Sequence, residues 1–177
     1  MANLRTILII AVAALAAAIA PAPANDTNTV SVYFSPGGGC TEAIVRELNG
    51  ARSNILVQAY SFTSADIAKA LLAAHRRGVR VRVILDKSQK TVKYSSATFL
   101  VNTGIETLLD AEHAIAHNKV MIIDGATVIT GSFNFTKAAE RSNAENLLVI
   151  RNARLADQYS KNWNQHARHS QLLGTRP

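Results

Sequence analysis

Six residues within eighteen positions carry side chains suited to one chemistry: His117, Lys119, Asp124, Gly131, Ser132 and Asn134. An imidazole can attack phosphorus or shuttle a proton. An ammonium, a hydroxyl and an amide can hold the non-bridging oxygens of a phosphoryl group as charge builds on them. The runs Lys119–Ile123 and Ala126–Thr130 are apolar and β-prone, and Asp124-Gly125 lies between them. That dipeptide tolerates the positive φ angles of a tight turn, so the spacing predicts a hairpin. If the two residues are the whole loop, Ile123 faces Ala126, Lys119 faces Thr130 and His117 faces Ser132. His117, Lys119, Ser132 and Asn134 then project from one face. Asp124, of opposite parity, is expected to be structural and to hold the turn with Gly125.

The rest of the chain reads as the frame for this hairpin. Thr29–Phe34 alternates as a strand, Ser35–Gly39 breaks it, and Cys40–Leu48 follows as a helix. The Gly-rich break lacks both the dinucleotide and the Walker pattern and reads as a plain connection. Asn54–Tyr60 is a second strand. Ser64 caps a helix reaching about Arg77 and stopped by Gly78, and Val79–Leu85 is a third strand. Ser95–Asn102 reads as a helix, Ile105–Leu109 as a strand and Phe135–Ser142 as a loop or short helical turn. Ala144–Ile150 is the last strand, and a closing helix runs from Ala153 to about Leu173. Strands alternating with helices predict right-handed crossovers. The expected fold is a single α/β domain with helices on both faces of a mixed, largely parallel sheet.

Residues 1–24 contain one charged side chain, Arg5, then an apolar run from Ile7 to Ile19 and the sequence Ala22-Pro23-Ala24. This is the pattern of a secretory signal peptide, with the mature domain at 25–177 and a periplasmic or secreted location expected. The formal charge is +7, and removing Arg5 leaves +6. A basic exported domain suits a polyanion, nucleic acid or anionic membrane. A single cysteine, Cys40, excludes an internal disulfide and is expected to be buried. Glu112, His113 and His117 lie in what reads as loop and strand, not at metal-ligand spacing, so no metal is expected there. His166 and His169, one turn apart on the closing helix, are expected on its solvated face.

The spacing His-x-Lys, four residues, Asp, six residues, Gly-Ser-x-Asn resembles the HKD motif of the phospholipase D superfamily, and Glu145 suits the acidic residue that follows it there. The resemblance implies an α/β/α sandwich. It also implies His117, Lys119, Asn134, Ser132 and Glu145 as catalytic residues, and Asp124, Gly125 and Gly131 as the structural part of the motif. Members commonly carry two such motifs whose histidines meet, whereas this chain has one. A short, exported, single-motif chain is similar to the Nuc-type bacterial endonucleases, which pair two identical chains. The implied reaction passes through a phosphohistidine in a site shared by a homodimer. No cofactor or metal is required by it, and activity in EDTA is expected.

Three functions follow as expectations. The first is a nonspecific endonuclease acting on DNA, with RNA as a further substrate. The alternative is a phospholipase D acting on phospholipid headgroups, which a membrane-docking apolar element would favour. The third, of another class, is a nucleic-acid-binding accessory protein of DNA transfer. The intact motif argues against it, as does an aromatic content of only 6%.

Overall fold

A computed structural model describes residues 28–91 and 95–174. The expected signal segment, residues 1–24, lies outside the described residues. One eight-stranded sheet runs in the order β1-β7-β6-β5-β2-β3-β4-β8. Its strands are β1 (Thr29–Ser35), β2 (Asn54–Ala59), β3 (Arg80–Asp86), β4 (Glu106–Asp110), β5 (Lys119–Ile123), β6 (Thr127–Gly131), β7 (Glu145–Arg151) and β8 (Gln171–Leu172). The helices are α1 (Cys40–Gly50), α2 (Ala65–Arg76), α3 (Ala97–Asn102), α4 (Lys137–Arg141) and α5 (Ala153–His169).

The mixed α/β sandwich is as expected, but the sheet is mostly antiparallel, not largely parallel. Only β2–β3 and β3–β4 pair in parallel. The β1–β7, β7–β6, β6–β5, β5–β2 and β4–β8 pairs are antiparallel. The reason lies in the connections. Helices α2 and α3 make true crossovers, while β1 and β2 are not neighbours at all. The hairpin β5–β6 and strand β7 insert between them, and each pairs with its neighbours in the antiparallel sense. The closing helix also ends earlier than its polarity suggests. At Ser170 the backbone turns extended, and Gln171–Leu172 fills part of the edge of β4.

Local signals place the helices. Ser64 Oγ accepts from Ile67 N at 3.4 Å to cap α2, His75 and Arg76 sit in its last turn, and Gly78 follows at φ 90°. Asn152 Oδ1 accepts from Leu155 N at 2.8 Å to cap α5. The larger core lies between one sheet face and α1, α2 and α3, and it includes Phe62, Phe133, Phe135, Met121 and Val149. Cys40 is fully buried in it, and burial first, then the charge of Glu140, pushes its thiol up to about 11. That is the inert, buried cysteine expected for a lone thiol. Helix α5 covers the other face. Trp163 is buried there with Ile84, Val120 and Ile122, and its Nε1 donates to Val57 O at 2.8 Å. Among the described residues no helix is long and apolar enough to cross a membrane.

The hairpin departs from the simplest register twice. Ile123 pairs with Thr127, not Ala126, so the loop has three residues, with Asp124 at φ 53° and Gly125 at φ 62°. A regular continuation would put Lys119 opposite Gly131 and throw Ser132 and Asn134 out of phase with His117. The second departure ends the regular ladder. Gly131 pairs with Leu147, and then Ser132 N and Phe133 N both donate to Asn146 O at 3.2 Å. Two residues thus oppose one, a bulge after which Phe133 and Phe135 both enter the larger core.

Asp124 is structural, as its parity suggested, and its reach is longer than the turn. Its carboxylate accepts from Arg52 N, Ser53 N, Ser53 Oγ and Asn54 N at 2.8–3.0 Å, pinning the start of β2 to the hairpin. Burial acts to raise its pKa, but the hydrogen bonds from Ser53, Asn54 and Arg52 outweigh it and hold the carboxyl below its ordinary value.

Two predictions follow from this hairpin. Asn also tolerates positive φ, so Asp124→Asn tests the carboxylate alone, and a loss of about 1–3 kcal/mol is expected at pH 7. A depressed folded pKa contributes stability above the unfolded pKa of about 3.9 and loses it as pH falls through the folded value. Urea melts should therefore show the deficit shrinking at pH 3, and an equal deficit at both pH values would refute the assignment. At Gly131, with φ 148°, a Cβ would lie 2.3 Å from Asn146 O. Gly131→Ala is expected to cost at least about 2 kcal/mol in the same melts, and an unchanged midpoint would contradict the bulge.

Candidate active site

Strand β5 begins at Lys119, so His117 sits just ahead of the sheet on an exposed loop end while Lys119 is 7% exposed. The Lys119 Nζ donates to His117 O at 2.8 Å and lies 2.9 Å from His117 Nδ1 and 3.1 Å from Nε2. Burial pushes the Lys119 pKa below its ordinary value, and the nearby charge of Glu145 pulls in the opposite direction. An ammonium so placed is partly stripped of water, which strengthens its hold on an anion.

The bulge brings the other members to this end of the sheet. Ser132 Oγ donates to Glu145 Oε2 at 2.5 Å and accepts from Asn146 N at 3.1 Å. Glu145 Oε1 also accepts from Asn143 Nδ2 at 3.1 Å. Asn134 lies between the buried Phe133 and Phe135, and its Oδ1 is buried with no hydrogen-bond partner among the described residues. The expected residues thus form two contacting pairs, His117 with Lys119 and Ser132 with Glu145. The charge interaction between Lys119 and Glu145 joins them. Asp124 and Gly125 lie at the far end of the hairpin, and Gly131 sits inside the bulge.

Tyr60 belongs to this site and has no signature in the sequence. Its ring lies 4.5 Å from that of His117 at a 51° tilt, and the Lys119 Nζ lies 5.2 Å from the centre of its ring. The β2–β5 pairing places it there, since Ala59 is opposite Lys119. Two further groups hold the segment that delivers His117. The buried Asp86 accepts from Ala116 N at 2.8 Å, and Lys87 Nζ donates to His113 O at 2.9 Å. Burial acts to raise the Asp86 pKa, but hydrogen bonds from Ser88 and Ala116 and the Lys87 charge leave it lowered.

The expectation for the remaining histidines is overturned. His166 and His169 do not line a solvated helix face. They turn inward with His113 onto Asp110, whose side chain is fully buried. Burial would raise the Asp110 pKa, but hydrogen bonds from His166, His113 and His169 hold it well below the usual carboxylate range. No sequence spacing signals this cluster, because β4 and the end of α5 meet only in the folded chain.

Residues 44–167 match the family model described as "Cardiolipin synthase, PLD-like domain". The phospholipase D of Rickettsia bellii is 47% identical over 134 residues, which is 76% of this chain and 67% of that protein. Among solved structures, the phospholipase D family member Nuc from Salmonella typhimurium superposes with a TM-score of 0.81 at 38% identity. That match covers 84% of this chain and 99% of Nuc. NucT from Helicobacter pylori, at 23% identity and a TM-score of 0.76, shares the fold over 82% of this chain. With its single HKD cluster at the end of the β5–β6 hairpin, the chain belongs to the phospholipase D family and is a hydrolase of phosphodiester bonds.

Proposed function

We propose that the protein is a nonspecific endonuclease, hydrolysing DNA and, through the same site, RNA. The observation that carries this reading is the match to Nuc, which spans 99% of that chain at 38% identity. The charge of +6 without Arg5 supports it, because a nucleic-acid backbone is the densest polyanion such a surface meets.

In this reading the hairpin is half of a catalytic centre. His117 attacks phosphorus and the bond to the leaving sugar oxygen breaks. The partner's His117 gives that oxygen its proton. It then takes a proton from water, which hydrolyses the phosphohistidine and frees the first imidazole. One ring cannot be nucleophile and acid in the same step, so two copies are needed. Lys119 and Asn134 hold the non-bridging oxygens, and Ser132, whose one proton goes to Glu145, positions that carboxylate beside Lys119. Lys119 and the two imidazoles supply the charge and the proton transfers, so the scheme uses no divalent metal.

An uncovered apolar stripe supports the pairing. Val30, Val32 and Phe34 on edge strand β1 are 64%, 51% and 62% exposed. They pair across to Ile150, Leu148 and Asn146, and the next pair is Ser35 with Glu145. The stripe therefore runs along the edge to the catalytic end. A second copy is the occupant that would both cover such an edge and complete the site.

The name of the Rickettsia bellii relative favours a second reading, phospholipid headgroup hydrolysis. One assay separates the two. The protein is given plasmid DNA, RNA, and phosphatidylcholine and cardiolipin vesicles in EDTA while circular dichroism follows the fold. DNA cleavage is expected, and His117→Ala should slow it by at least about 10³-fold. Headgroup release with intact plasmid would transfer the assignment to lipid, and loss of cleavage in EDTA by a folded protein would defeat the metal-free scheme. For the dimer, Phe34→Glu should halve the mass seen by light scattering and abolish cleavage without unfolding the chain. An active monomer would overturn the shared site.

A further inference from the structure

We propose that Asp110, His113, His166 and His169 form a structural site for a divalent zinc-class cation, separate from the catalytic residues. Two distant parts of the chain build it. Asp110 ends β4, His113 follows in the segment leading to His117, and His166 and His169 lie in the last turn of α5. One ligand atom from each lies within 4.8 Å of all the others. The ring centres of the three imidazoles are 4.9, 5.2 and 5.4 Å apart.

The geometry is close to what the ion needs. Zinc bonds to nitrogen and oxygen of about 2.0–2.2 Å put the corners of a tetrahedron about 3.3–3.5 Å apart. Asp110 Oδ2 already lies 3.0 Å from His113 Nδ1, 2.9 Å from His166 Nδ1 and 3.4 Å from His169 Nε2. Only the imidazoles must draw together, a change within the reach of side-chain torsions. The carboxylate is oriented as a ligand would be. Its Oδ1 accepts from Glu112 N at 3.2 Å and His113 N at 3.4 Å, which aims Oδ2 at the rings.

Hydrogen bonding alone is a poor account of this cluster. A carboxylate offers about four lone pairs, and Asp110 faces two backbone N–H groups and three ring nitrogens, with His113 Nδ1 shared between Oδ1 at 3.1 Å and Oδ2 at 3.0 Å. A cation among them lets each nitrogen act as a ligand through its own lone pair. Three imidazoles and one carboxylate are a donor set that suits zinc, and four protein ligands leave no open position for substrate, the mark of a structural site. Side-chain exposure runs from 0% at Asp110 through 14% at His166 and 26% at His169 to 45% at His113, so the site is shielded on its inner side. Its effect would be to tie the end of α5 to the segment that carries His117.

The site is independent of which phosphodiester the enzyme cleaves, and its test reads metal, not turnover. The purified chain is stripped with chelator, dialysed and titrated with Zn²⁺ by calorimetry. About one equivalent per chain is expected, with a rise in melting temperature. Co²⁺ in its place should give the intense visible band of a four-coordinate site. His166→Ala and the more conservative His169→Gln should keep the fold by circular dichroism and weaken Zn²⁺ binding at least about tenfold. Failure of the stripped protein to bind Zn²⁺, or binding unchanged in both variants, would overturn the proposal. Below its melting temperature the stripped protein should still cleave substrate in EDTA.

Discussion

The carbonyl of Asn146 accepts two successive N–H groups, from Ser132 and Phe133, and the end of the hairpin rests on that convergence. The three-residue loop at Asp124-Gly125-Ala126 shifts the β5–β6 register by one from that of a two-residue turn. The bulge then closes the regular ladder at Gly131. Only glycine fits at its start, because a Cβ at Gly131 would overlap the same Asn146 carbonyl. From this follow the contact of Ser132 with Glu145, the placement of Asn134, and the burial of Phe133 and Phe135 that anchors the segment in the core.

A buried cation poses the opposite problem to an apolar core. Lys119 is buried among strands, at a desolvation cost that lowers its pKa, and in the proposed reaction it holds phosphate as an ammonium. The fold answers with Glu145 nearby, the His117 carbonyl as acceptor and the Tyr60 ring under the ammonium. The segment before it is held from the neighbouring strand, where Asp86 takes the Ala116 N–H. His117 is thus exposed while the backbone on both sides of it is fixed, which suits the nucleophile proposed for it.

The two faces of the sheet are covered unequally, and this asymmetry shapes the surface. Helices α1, α2, α3 and the short α4 pack one face, whereas α5 alone lies on the other. One helix about 10–12 Å across spans only two or three strands about 4.8 Å apart. Strand β1 at one edge is left with its apolar row uncovered. Toward the other edge, the last turn of α5 meets β4 and carries two histidines onto a buried carboxylate.

The residues of the hairpin, the caps and the apolar periods determined much by themselves. The motif from His117 to Asn134 marked the chemistry. Ser64, Gly78 and the alternation in each strand placed the elements within a few residues, because those signals act over one turn of helix or a few residues of strand. Sheet order was not determined that way. Nothing local in β1 or β2 says that three other strands lie between them, so a parallel sheet was the natural expectation and a mostly antiparallel one is what formed. The hairpin departs from its expected register at the loop and again at the bulge, since both depend on backbone geometry that residue types alone do not fix. Tyr60 beside His117, and Asp110 beneath three histidines, exist only as tertiary contacts. The two halves of each group are separated by scores of residues along the chain, and only the packed sheet and its closing helix bring their side chains within reach of one another.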